Sequence, residues 1–417
     1  MIQNRKENQT LGRFRVDGCV GSLVDKNGVE YFYGVATPAK GDAARAQIFS
    51  AFDVLDAAIQ EAGDPAIVKL NVFLREIGDK QLVRAIMRSR YGDTLPTTTF
   101  IPQKATDERV SVVLEATAIG PSRDSDRAIP VRVDRRTERA TIVDFADVSL
   151  GFFGGFVPSP EPIGAYARSF DAFAQMRAEV EANGFLFPQV FRTWLYQGHI
   201  VLEEGETQRY KELNRARSDF FYGTRFLEKY QPKDAPLRAI YPASTGIGAD
   251  DVDIATGCQA IKTDRDDALV VPLENPNQTS AFDYSEFYSP QSPKFARACA
   301  VKFNERCSVY VSGTASIVDQ KTVFIDDPEG QTNQTLDNIA ALISGDNLAK
   351  HGVSGFDAAL EDLAVARVYV KKPEQVEFVR NVCEKRLASV PVVCVYADVC
   401  RDDLLVEIEG IVSCKIA

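Results

Sequence analysis

The sequence predicts an α+β fold of three tandem units, each running β-β-α-β-α-β-β with both helices on one face of a mixed sheet. Three observations lead there. A chain of 417 residues exceeds what one ordinary core absorbs. Apolar spacing alternates between the period of a strand and that of a helix. The same order of elements then recurs three times along the chain.

The first unit opens with hairpin-like stretches at 12–24 and 29–38. A helix follows over 41–63, with Ile48, Phe52, Leu55 and Ile59 at helical spacing. Val68, Leu70, Val72 and Leu74 alternate as a strand, a short helix starts after Asp79, and two strands close the unit around 100–104 and 109–120. The second unit repeats this from 151–158 through a helix at 163–184 (Tyr166, Phe170, Phe173, Val180), a strand at 190–196, a helix at 206–221 and strands at 238–248 and 258–261. In the third, strands at 294–301 and 307–318 precede a helix at 330–344, a strand at 364–371, a helix at 373–389 and closing strands at 390–397 and 404–412. Polar stretches at 121–128 and 272–293 mark the boundaries, giving units 1–122, 123–270 and 271–417. The second stretch carries Phe282, Tyr284, Phe287 and Tyr288, which predict a loop packed by its own side chains.

Composition narrows the chemistry. A net charge of −11 argues against broad nucleic-acid binding. No apolar run reaches the roughly 18 residues of a membrane span, and Met1–Thr10 has no apolar stretch behind its basic residues, so a cytoplasmic protein is expected. Only His199 and His351 occur, which disfavours a Ser-His-Asp triad or a His-rich metal centre. The eight cysteines (19, 258, 299, 307, 383, 394, 400 and 414) contain no CxxC pair and read as free thiols, Cys394, Cys400 and Cys414 among them as small buried residues. Carboxylates, arginines and tyrosines are left to act.

The segment Leu404–Glu409 is the sharpest candidate. As a strand it places Leu404, Val406 and Ile408 on one face and Glu407 and Glu409 on the other. Two carboxylates there fit a solvated face or a covered acid site. Arg209, Arg215 and Arg217 similarly fit a helix surface with local ion pairs or an anion site. The glycines of GFFGGFV and STGIGAD match tight turns rather than a phosphate loop, and Trp194 with Phe191 and Tyr196 belongs to a core or a contact between units.

A unit of this order ending in an EIEG-like strand resembles the RidA/YjgF family of imine deaminases, which assemble as trimers with clefts between subunits. Residues 130–417 resemble more specifically the chorismatase (3-hydroxybenzoate synthase-like) family, through RTWLY, EGETQRYKELNRAR, YPASTGIG, ENPNQTSAFDYSEFYSPQSPKFARA, VSGTASIV, QTNQTLDNIAALI and CRDDLLVEIEG. The N-terminal unit is then an additional, degenerate RidA-like one. The carboxylate-holding arginine of RidA deaminases is missing near Thr98, at Ser244 and near Val392. Aligning the EIE positions gives Val113 and Glu115, Gly257 and Gln259, then Glu407 and Glu409, so only the third unit keeps the acid. The resemblance implies Glu407 as general acid in a cleft between the second and third units, with Arg209, Tyr210, Arg215, Tyr284, Arg297, Gly313 and Thr314 as substrate contacts. It implies no metal and no cofactor. The expected partner is a small carboxylated metabolite, chorismate or a related enol ether. The alternatives are an imine deaminase and a non-catalytic binding protein of the same fold. Departures from the chorismatase pattern are Phe282 for Tyr, Gln291 for Arg, and Asp319-Gln320 for Gly-His. Three units in one chain are further expected to close a ring within it, a pseudo-trimeric monomer relating 11–120, 130–265 and 290–415.

Overall fold

The computed structural model describes residues 11–38, 43–124, 126, 128–234, 239–250, 253–285 and 291–417. The first unit runs β1 (Leu11–Val16), β2 (Cys19–Lys26), β3 (Val29–Ala36), α1 (Ala44–Glu61), β4 (Ala66–Leu74), α2 (Lys80–Tyr91), β5 (Thr97–Ile101) and β6 (Val112–Pro121). The second runs β7 (Arg132–Thr137), β8 (Ala140–Phe145), β9 (Val148–Phe156), α3 (Gly164–Ala182), β10 (Val190–Gly198), the hairpin β11 (Glu203–Glu204) and β12 (Thr207–Gln208), α4 (Arg209–Phe221), β13 (Ala243–Ala249) and β14 (Ile254–Thr263). The third runs β15 (Leu269–Leu273), β16 (Ala298–Phe303), β17 (Arg306–Ala315), the hairpin β18 (Ile317–Val318) and β19 (Lys321–Thr322), α5 (Pro328–Ile343), α6 (Gly345–Lys350), β20 (Phe356–Asp357), β21 (Leu363–Val370), α7 (Val376–Leu387), β22 (Val392–Tyr396), β23 (Val406–Ser413) and β24 (Lys415–Ile416).

Three six-stranded sheets share one strand order: β1-β2-β3-β6-β4-β5, β7-β8-β9-β14-β10-β13 and β15-β16-β17-β23-β21-β22. Each unit therefore leads with three strands, not the expected two. Asp17-Gly18 turns the first predicted strand back on itself, with Gly18 at φ 80°, so Val16 pairs with Cys19. Arg132–Thr137, which the sequence reading assigns to no element, forms an edge strand on β8, where no apolar alternation is required. β15 crosses the boundary expected at 270/271.

Alternation along the strands buries both sheet faces. In the third unit Val406, Ile408 and Val412 pack under Leu336 and Ile339 of α5 and Val379 and Val382 of α7. The opposite faces of all three sheets meet in a shared interior that includes Tyr33, Val113, Phe153, Trp194, Tyr310 and Val365. Each unit touches both others: β5 lies on β9, β13 on β17, and β21 on β2. Among the described residues no helix is long and apolar enough to cross a membrane.

Candidate active site

β17 and β23 lose register between Val311 and Thr314, so Ser312 and Gly313 together oppose Glu409. This bulge brings the backbone of Gly313 beneath Glu407, where a Cβ would strike the Glu407 carboxyl and approach Thr245 Cγ2 to 3.2 Å. Above the bulge opens a cavity of about 440 Å³. β13 and α4 of the second unit form one wall, and the loops before β16 and β23 form the other.

Both carboxylates of the EIE segment are buried, at 4% and 3% exposure, which excludes the solvated face. They hold opposite protonation states. Burial, and then the charge of Glu409, pushes Glu407 up to about 8, against the pull of Arg192 and Arg297. Burial alone would also raise Glu409, but Arg367 and Arg192 reverse this and hold it down at about 2. Its Oε1 accepts from Tyr369 at 2.5 Å and Arg367 at 2.8 Å. Its Oε2 accepts from Thr245 at 2.7 Å, Trp194 at 2.8 Å and Arg192. Thr245 Oγ1 in turn accepts from the Gly313 amide at 2.9 Å, tying the bulge to the ionised carboxylate.

Two guanidiniums line the cavity without an ion-pair partner among the described residues. Arg217 donates to Asn214 Oδ1 at 2.6 Å and leaves Nε unbonded. Arg297 donates to the Thr279 carbonyl at 2.9 Å and Tyr284 Oη at 2.6 Å, again with Nε unbonded. Both are nearly fully buried, at 1% and 4% exposure. A buried cation without a counter-charge is costly, so the pair marks a place for an anion.

Of the expected contacts, Tyr210, Tyr284, Arg297 and Gly313 line this cavity with Glu407. Arg209, Arg215 and Thr314 do not. Arg209 turns to Glu204 and the Gly198 carbonyl (2.9 Å), held at the helix start by the β11–β12 hairpin. Arg215 is half exposed, pairs with Glu212 at 2.7 Å and lies over the Tyr166 ring. Thr314 alternates to the face opposite Gly313, its hydroxyl donating to the Ser312 carbonyl at 2.9 Å. The helical face that does reach the cavity is Tyr210, Asn214 and Arg217, at i, i+4 and i+7. That spacing was readable, but not which side of α4 the sheet would cover. Cys400 also lines the cavity, its thiol pushed up to about 12 by burial and then by Glu407. Phe282 packs on Tyr241, while Phe287 and Tyr288 lie outside the described residues.

At the matching junction of the first and second units the bulge is packed tightly against β5. Gly154 and Gly155 form the same bulge opposite Gly257, and a Cβ on Gly155 would lie 2.7 Å from the Thr98 carbonyl of β5. The shared bulge aligns Gly257 with Glu409, two residues away from the sequence alignment, so the counterpart of Glu407 is Ala255.

No family model matches the chain. It is 38% identical over 176 residues to a chorismatase of Streptomyces hygroscopicus, covering 42% of this chain and 50% of that protein. A crystal structure of chorismatase superimposes with a TM-score of 0.63 at 22% identity, over 91% of this chain and 98% of that one, a likeness of fold. A 3-hydroxybenzoate synthase of Streptomyces hygroscopicus is 35% identical over 282 residues, 66% of this chain and 77% of the synthase. At that identity, across more than two thirds of a relative, the chain belongs to the chorismatase/3-hydroxybenzoate synthase family.

Proposed function

We propose that the chain is an enzyme that releases pyruvate from chorismate or a related small carboxylated enol ether, with Glu407 as general acid. The observation that carries this reading is the meeting, in one cavity, of a buried carboxyl that keeps its proton near neutral pH with two buried guanidiniums that have no ion-pair partner among the described residues. Arg217 and Arg297 hold the substrate carboxylates, filling the role left open by Gln291. Tyr210 and Tyr284 flank the ring, and Gly313 leaves the space that Glu407 occupies. Glu407 donates its proton to the methylene carbon of the enolpyruvyl group, and the ether carbon becomes oxocarbenium-like. Water adds there, its proton returns to the Glu407 carboxylate, and the hemiketal collapses to pyruvate and the ring alcohol. Burial against the second unit keeps the acid protonated and the cation out of bulk water. The other family activity, formation of 3-hydroxybenzoate, would use the same cavity and the same first proton transfer.

The test is pyruvate release from chorismate, coupled to lactate dehydrogenase. Wild-type turnover with Glu407→Gln reduced roughly a thousandfold is the expected result, the range of a lost general acid. No pyruvate from the wild type, with chorismate still raising its melting temperature, would overturn the enzyme reading in favour of a binding protein.

A further inference from the structure

None of the described residues of the N-terminal unit lines the cavity, yet the unit reaches Glu409, the neighbour of the acid, through a chain of buried ion pairs. Arg367 on β21 donates Nε to Glu115 Oε2 at 2.5 Å and Nη2 to Glu115 Oε1 at 2.7 Å, while its Nη1 reaches Glu409 Oε1 at 2.8 Å and Tyr196 Oη at 2.9 Å. Glu115 comes from β6 of the first unit, Arg367 and Glu409 from the third, and Arg192, on the other oxygen of Glu409, from the second. All four are buried, with exposures of 6%, 5%, 3% and 1%.

The charges of this group balance. Two carboxylates face two guanidiniums, and burial, followed by Arg367, disfavours the charged form of the neighbouring Lys69, whose amine lies 3.3 Å from the centre of the Trp194 ring. We propose that Glu115 is a positioning residue for the acid step: by neutralising Arg367 it leaves the charge of Glu409 free to hold the proton on Glu407, which makes the first unit part of the active site. This rests on the reading of Glu407 as the acid. The other titratable groups around Glu407 and its cavity are Glu409 on its own strand, Arg192 from β10, Tyr284 and Arg297 from the loop before β16, Tyr210, Lys211 and Arg217 from α4, and Cys400 with Arg401, Asp402 and Asp403 from the loop before β23. Glu115 is bonded to none of these, only to Asn71 and Arg367 among the described residues. Replacing Glu115 leaves Arg367 one positive charge in excess, two residues along the strand pair from the acid, and Glu407 then gives up its proton at lower pH.

The experiment titrates Glu407 directly in the full chain, by carbon NMR of labelled glutamate with Glu407→Gln identifying the resonance, alongside the upper pH limit of pyruvate release. Glu115→Gln is expected to lower both midpoints by about half a unit or more, the scale of a charge screened across a buried pair. Glu115→Asp, which keeps the charge, should restore them even where both variants lose thermal stability. A Glu115→Gln midpoint equal to wild type overturns the proposal. Should Glu115→Gln not fold, the double variant Glu115→Gln, Arg367→Gln restores the charge balance. It is then expected to fold with the wild-type midpoint, and a double variant that folds with a lowered midpoint, or does not fold, assigns Glu115 to architecture alone. An active Glu407→Gln would instead remove the acid assignment and leave the titration shift standing.

Discussion

Glu407 and Glu409 stand two residues apart on one face of β23, and their opposite protonation states have opposite effects on stability. The folded midpoint of Glu407, about 8, lies above its ordinary 4.5, so the folded chain binds more protons than the unfolded chain across that interval, and stability falls as pH rises through it. Glu409, held at about 2, adds stability that is present above 4.5 and is lost as pH falls toward 2. Glu407→Gln should therefore melt close to wild type at pH near 4.5 and clearly above it at pH near 8, as scanning calorimetry at the two ends will read. An equal melting difference at both ends would contradict a carboxyl raised by burial. Gly313→Ala is the matching steric probe. Its Cβ collides with the Glu407 carboxyl, so kcat should drop by roughly two orders of magnitude while the far-ultraviolet spectrum stays unchanged.

At the scale of elements, α4 shows what a periodic pattern does and does not tell. Its helical spacing was plain, but Arg209, Arg215 and Arg217 differ by their angle around the helix, and only packing against the sheet selects Arg217. Arg217→Lys should raise KM for chorismate by about ten- to a hundredfold with a smaller effect on kcat, because an ammonium cannot reproduce the fork of a guanidinium. Arg215→Ala, on the solvent side, should leave both constants within about twofold. A comparable KM rise in both variants would mean that α4 acts through its overall charge. Strands with apolar alternation were equally readable, whereas β7, an edge strand whose one apolar residue is Val133, carries no such signal. The bulge in β17 was invisible for a different reason: it is a property of pairing with β23 and not of either strand alone. The same bulge in β9 moves the alignment of the middle unit by two residues.

For the whole molecule, the triple order of elements anticipated three sheets of one topology, and the structure has them. It could not anticipate which side chains meet at the centre, since sequence carries no register between units. Thus Glu115, Arg192 and Arg367 were not singled out as partners of one another. We propose that the contacts of each unit with both others close the ring within the chain, as expected for a monomer. Light scattering over a hundredfold concentration range should then return the mass of one chain, and a concentration-independent trimer would refute this. The bulge of β9 has a further consequence for counting. Gly154 and Gly155 are seated directly against Thr98 and Thr99 of β5, whereas the bulge at Gly313 is seated against the Glu407 carboxyl itself, at the floor of the cavity. Because Val113 and Ala255 stand in the first and second units where the third has Glu407, a saturating ligand should titrate to one equivalent per chain, on a simple hyperbola without cooperativity, where an assembly of three identical units would bind three.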